Sequence, residues 1–225
     1  MQNVSALWAT LWEMPDTEIE YRFTINGTVY GKESEVSHSV ERELYRDFGI
    51  GNATGATLNL ELFADDIPRG ATIVRECRLV NGNQASEWIP KGTFYTNSRS
   101  ESDGFWRIEA IDAMKKADTV WKPLQSDVFG EGGKPMREVV LQACQIMGVT
   151  LDERSVISGY GVDYPANDQT WRQTLQYIAA ASLGNFIITE RNQLRLVPLI
   201  SAAPAALLVN ENGDAITFGE VGILV

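Results

Sequence analysis

Residues 86–118 read S-E-W-I-P-K-G-T-F-Y-T-N-S-R-S-E-S-D-G-F-W-R-I-E-A-I-D-A-M-K-K-A-D, and this stretch decides the fold. Its first arm carries Trp88, Ile89, Phe94 and Tyr95, bulky residues that suit the pleated backbone of a strand. On its second arm Trp106, Ile108 and Ala110 alternate with Arg107, Glu109 and Ile111, the two-residue period of a strand with one buried face. Between the arms, residues 97–104 are polar and end in Asp-Gly, which is turn chemistry. A long antiparallel hairpin is therefore expected. Its polar tip, residues 97–103, should be exposed, with Trp88, Phe94 and Trp106 buried or held at a subunit contact. Asp112 then stands as an N-cap before good helix formers, so the second arm should run into a short helix.

On the N-terminal side, residues 1–17 form an arm. Leu7, Trp8, Leu11 and Trp12 have the spacing of one helical face, and Pro15 ends it. That face either docks on another surface or covers the chain's own core. Residues 18–30 alternate Ile19, Tyr21, Phe23 and Ile25 with polar residues, and Asn26-Gly27 is the strongest short hairpin signal. Residues 32–48, with Val36, His38 and Val40, read as a further strand. Residues 48–55, F-G-I-G-N-A-T-G, lack the Lys-Ser/Thr of a phosphate loop and read as a plain loop. Residues 57–64 and 71–80 are strands, the second closed by Asn81-Gly82. Some six short strands at this spacing make residues 18–121 a small antiparallel barrel or sandwich.

Composition shifts at residues 122–134, a glycine-rich linker or exposed loop. Pro135 opens a helix at its first position. Val139, Val140, Ala143, Ile146 and Met147 mark its buried face, and Gly148 stops it. Residues 164–168 form a turn, and Asp168 or Thr170 caps a second helix. Trp171, Leu175, Ile178, Ala179 and Ser182 line one face of that helix, and Gly184-Asn185 ends it. Residues 186–189 and 194–197 then pair as a hairpin. The expected fold class is mainly β with α+β: a barrel, then a small unit of two helices and a hairpin over residues 122–200. Residues 201–225 hold strand-like runs at 207–209, 215–218 and 223–225. They either return to the first barrel or begin another.

The chain has 225 residues, 44% hydrophobic and 22% charged, with a net charge of −11. Such an acidic balance argues against nucleic acid or an anionic membrane as a partner. No signal peptide or membrane-length apolar run is visible. Cys77 and Cys144 lie far apart outside any C-x-x-C motif, so both are expected to be buried thiols. His38 is the single histidine, which leaves no Ser/His/Asp or Cys/His set and no ordinary zinc site. Asp65-Asp66 and Asp152-Glu153 are adjacent carboxylates on loops, weak evidence for glycosidase chemistry or a calcium site. No catalytic, cofactor or metal-binding residue is assigned, and an enzyme is not expected. The Trp and Tyr content also fits a carbohydrate-binding β module of a receptor-binding protein, although core and interface packing explain it more simply.

The order S-E-W-I-P-K-G-T-F-Y, polar turn, I-E-A-I-D-A-M-K-K-A-D resembles the hub proteins at the tail tip, or baseplate, of long-tailed bacteriophages and related prophages. The later segments P-M-R-E-V-V-L-Q-A-C-Q-I-M-G-V, Y-P-A-N-D-Q-T-W-R-Q-T-L-Q-Y-I-A-A-A-S-L-G-N-F-I-I-T and L-R-L-V-P-L follow in the order those proteins share. The resemblance covers about residues 21–199. It implies a tail-tube-like barrel followed by an α+β domain, and a structural role in the virion without catalysis. It also implies a ring that joins the tail tube to the tip and lines the DNA channel. A homotrimer is expected, with a hexamer as the alternative. The implied partners are the tail tube or distal tail protein, the tape measure protein and a tip or fibre protein, assembled in the bacterial cytoplasm. Such hubs usually continue into a second tube-like barrel, for which only residues 203–225 remain here.

Overall fold

The computed structural model describes residues 4–43, 49–123, 133–163, 168–199, 217–218 and 221–222. The elements before the midpoint are α1 (Ala6–Glu13), β1 (Glu18–Ile25), β2 (Thr28–Tyr30), β3 (Glu35–Glu41), β4 (Ala53–Thr54), β5 (Thr57–Phe63), β6 (Thr72–Asn81), β7 (Gln84–Ala85), β8 (Ile89–Ser102) and β9 (Phe105–Asp112). A 3-10 helix follows at Ala113–Asp118. Then come β10 (Lys134–Pro135), α2 (Met136–Met147), β11 (Thr150–Leu151), β12 (Gly161–Val162), α3 (Trp171–Ala181), β13 (Gly184–Ile188), β14 (Gln193–Pro198), β15 (Thr217–Phe218) and β16 (Val221–Gly222).

Strands β2-β1-β6-β8-β9-β5-β3 form one antiparallel sheet, with β7 beside β6. The sheet curls into a half-barrel. His38 on edge strand β3 meets Tyr21 on β1, with ring centroids 4.4 Å apart, although the two strands are not hydrogen-bonded neighbours. Alternation sets the inner face: Phe23, Ile25, Leu58, Leu60, Leu62, Ile73, Phe94, Trp106, Ile108 and Ala110 are buried together. On the outer face, Arg22 pairs with Glu76 and Arg78 with Glu20. Both guanidinium groups lie over the Trp88 ring. Trp88 is therefore half-exposed on the outside, not buried, and its packing partners are cations.

The turns follow their residues. Asn26 and Gly27 both take positive φ, as a two-residue hairpin turn requires. Asp103 and Gly104 do the same. The hairpin differs from expectation in one respect: β8 runs on to Ser102, so only Asp103-Gly104 turn. The polar residues stay in strand because β9 pairs with them through Ser102, after a register shift between Thr96 and Ser98. They are mostly exposed. On the other side β6 reaches only as far as the Thr72–Tyr95 pair, so no β6 partner continues along residues 97–102.

Helix α1 lies on β6 and buries Leu11, while Trp12 remains 66% exposed. Ser5 caps the helix and bonds Glu87 through both its backbone N–H and its hydroxyl. The Asn81 amide donates to the Pro15 carbonyl. The arm thus covers its own sheet.

Helices α2 and α3 pack on one face of a second sheet, ordered β11-β14-β13-β4. Val139, Val140, Ala143, Met147, Leu175, Ile178, Phe186 and Leu194 are buried there, and Trp121 stacks on Trp171 at 5.0 Å. Thr170 caps α3 in a capping box with Gln173; Asp168, at φ 63, does not. Pro135 is the cap residue before α2, not its first helical position. Ile146 faces solvent, 50% exposed, one step off the buried stripe. Gly184 and Asn185 begin β13, since α3 already closes at Ser182.

The glycine-rich segment is not wholly a loop. Ala53-Thr54 leaves the half-barrel and pairs in parallel with Phe186-Ile187. Gly51, at φ 83, lies against α3, where an added Cβ would stand 2.9 Å from the Ala180 Cβ. The second core also takes in Ala113, Met114, Ala117 and Trp121. Segments on both sides of β5–β9 therefore knit the two parts together. Most of the expected linker at 122–134, the 44–48 end of the expected 32–48 strand, most of the 164–168 turn and the strand-like runs at 207–209 and 223–225 lie outside the described residues. In the last 25 residues β15 pairs with β16.

Candidate functional site

Two residues fasten the junction. Asp112 ends β9, and its carboxylate accepts from the Ala56 N–H at 2.7 Å and the Met114 N–H at 3.0 Å. It is 4% exposed. Burial pushes its carboxyl up to about 6, against the pull of those two N–H groups and of Arg42 and Arg172. Arg172 on α3 donates to the carbonyls of Ala53 and Met114 at 2.9 and 3.0 Å and forks onto both oxygens of Asp118. One guanidinium thus ties α3 to the β4 crossing and the 3-10 helix.

Helices cover one face of the small sheet. The opposite face carries Ile187, Thr189, Gln193 and Arg195, and it lines a cavity of about 800 Å³ completed by Arg42 and by residues 150–154, Glu190 and Arg191. A neighbouring cavity of about 340 Å³ shares Arg42 and Glu190 and adds His38 and Arg75. This cleft collects cations. Arg154 pairs with Asp152, and Lys91 with Glu190. Among the described residues Arg42 and Arg191 make no ion pair, and the Nε of Arg195 is buried without a hydrogen-bond partner. Four arginines, Arg42, Arg154, Arg191 and Arg195, therefore line the larger cavity with three carboxylates, Asp152, Glu153 and Glu190, on a chain whose net charge is −11.

His38 is not a free surface residue. Its Nδ1 meets Glu35, and its Nε2 lies 3.1 Å from a terminal nitrogen of Arg75. Arg75 in turn stacks over Tyr21 at 4.5 Å. A guanidinium only donates, so Nε2 accepts and Nδ1 carries the proton. Both ring nitrogens are thus occupied. Arg154 holds the Asp152 carboxyl down at about 2, a fixed anion rather than a proton donor. Glu153 beside it is exposed. Asp65 and Asp66 sit on an exposed loop, with Arg99 3.9 Å from Asp66. Burial raises the Cys77 thiol and pushes that of Cys144 up to about 12. Among the described residues no three His, Cys, Asp or Glu gather as a metal site, and no helix is long and apolar enough to cross a membrane. The cleft's guanidinium groups are donors, of the kind that can hydrogen-bond an anionic group. Arg42, Arg154, Arg191 and Arg195 come from separate turns and strands, and no motif in the sequence marks them.

The fold is shared with two solved tail proteins. One is the 43 kDa tail protein of prophage MuSo2 from Shewanella oneidensis, 11% identical, with a TM-score of 0.54 over 89% of this chain and 61% of that one. The other is the tail protein from Neisseria meningitidis MC58, 13% identical, with a TM-score of 0.54 over 87% of this chain and 57% of that one. The chain spans about three-fifths of their lengths. At such identities the likeness is one of fold. No protein-family model matches the chain, and no curated protein matches it in sequence.

Proposed function

We propose that this chain is a structural protein of a bacteriophage or prophage-derived tail, placed at the tail tip as part of a hub. The observation that carries the reading is the fold it shares, over almost nine-tenths of its length, with two tail proteins. The hairpin and the D-A-M-K-K-A-D segment support the finer placement. Asp112 caps, Ala113 and Met114 enter the core, and together they join half-barrel to helices. In this role the half-barrel completes a tube-like barrel, and copies close into a ring around the DNA path, three copies in preference to six. Exposed sheet edges suit such joining. The tail tube or distal tail protein, the tape measure protein and a tip or fibre protein are its neighbours in the virion, after assembly in the bacterial cytoplasm. The work is mechanical, with no catalytic step.

The test is a reconstruction of purified particles, with mass spectrometry to identify the chain. A ring of this chain at the distal end of the tube is expected. Its absence from the particle, or a place in the head, would refute the reading.

A further inference from the structure

We infer that the arginine cleft is a self-association surface, and that its occupant is the acidic strand end of a second copy of this chain. The contact belongs to the assembly reading above and names the surfaces it would use. A chain of net charge −11 repels its own copies unless the contact itself brings opposite charges together. The cleft supplies the positive side: Arg42 and Arg191 lack ion-pair partners among the described residues, and the buried Nε of Arg195 lacks an acceptor. An unpaired buried donor is costly, and an incoming carboxylate would satisfy it.

The negative side lies at the other end of the same strands. Phe63, at the end of β5, pairs with Phe105 beside the Asp103-Gly104 turn, and Phe63 is 54% exposed. Asp65, Asp66, Glu101 and Asp103 are exposed around this end, against Arg69, Arg99 and Arg107, the last lying over the Phe105 ring and paired with Glu61. The aromatic pair offers an apolar anchor within an acidic rim. Its counterpart is the cleft floor, where Ile187 lies among arginines. The start of β5, at Thr57, pairs with Glu41 next to Arg42, so cleft and acidic end sit at opposite ends of the strand. Seven residues span about 20 Å. A surface that meets a different surface on its neighbour makes a head-to-tail contact, which closes into a ring when the rotation allows.

The test is sedimentation equilibrium of the full chain at low and high ionic strength. Reversible association that weakens with salt is expected. Arg42→Glu with Arg191→Glu should weaken it about tenfold or more, and so should Asp66→Lys with Glu101→Lys. All four positions are at the surface, and a native circular dichroism spectrum with one cooperative unfolding transition checks that each variant folds. A chain carrying all four reversals should regain association, a result that general damage would not give. A wild-type chain that stays monomeric throughout would overturn the inference. So would association indifferent to the reversals or not restored by the fourfold variant. Those last outcomes would leave the tail assignment standing, whereas absence from the particle would remove the assignment without touching the solution measurement.

Discussion

Asp112→Asn is the most informative substitution, because its effect changes with pH. In the unfolded chain the carboxyl ionises at an ordinary 3.8; in the folded protein it does so at about 6. Below 3.8 the group is protonated in both states and penalises neither. As pH rises, the unfolded chain ionises first and the folded chain must follow against its burial. This group's contribution is therefore most favourable at acid pH and is lost as pH rises through about 6. Two units correspond to about 3 kcal/mol, of which about 2 kcal/mol falls between pH 4.5 and 7.5. Asparagine removes the titration but keeps one acceptor. The N–H of Ala56 or Met114 would then face an amide N–H, a cost of about 1–3 kcal/mol at every pH. Urea unfolding of both proteins across this range is the assay. The variant should be clearly less stable at pH 4.5, and the gap should shrink by about 2 kcal/mol by pH 7.5. Other titrations cancel in the comparison, including that of Asp152, whose lowered carboxyl adds stability that is lost only below about 4. A gap that stayed constant or widened with pH would refute the assignment of a desolvated carboxyl at the junction.

Trp106→Ala should cost about 3–5 kcal/mol in chemical denaturation, because the ring is 8% exposed and its Nε1 donates to the Ala64 carbonyl at 3.0 Å; a loss well under about 1 kcal/mol would place it on free surface. Arg172→Ala should cost about 2–4 kcal/mol, since it strips hydrogen bonds from two carbonyls and Asp118. Arg172→Lys should not restore the loss, as a point charge cannot span three acceptors, and a lysine variant of wild-type stability would contradict the clamp. Double-stranded DNA should not bind at micromolar protein in low salt, despite the arginine cleft, because the chain's net charge is −11. A mobility shift abolished by added salt would reopen a nucleic-acid role.

Much of the fold was legible because local chemistry and tertiary structure agree. Asn26-Gly27, the alternation through residues 105–112, the Asp112 cap and the Thr170 cap each satisfy a short-range rule that packing leaves intact. Two of the misreadings share a cause: a distant partner imposes a structure that the local residues do not prefer. Asn97, Ser98, Ser100 and Ser102 are poor strand formers, and they are extended because β9 continues beside them. Ala53-Thr54 is too short to show any period, and its partner lies more than a hundred residues away on β13.

The cleft lies further from the reach of sequence. Its arginines stand at positions 42, 154, 191 and 195, and their convergence depends on β4 crossing to β13 and on Arg172 holding the crossing. An acidic composition conceals it as well, since 30 Asp and Glu outnumber 19 Lys and Arg. Net charge reports only the sum. An acidic protein that assembles with its own kind needs its few unpaired cations gathered where copies meet, and elsewhere its acids keep it soluble. Residue 42 is then the position where the junction and the inferred contact coincide: Arg42 opposes the burial that raises the Asp112 carboxyl, and it lines the cleft. Removing it should move both the pH dependence of stability and the strength of association, whereas removing Arg191 should move association alone.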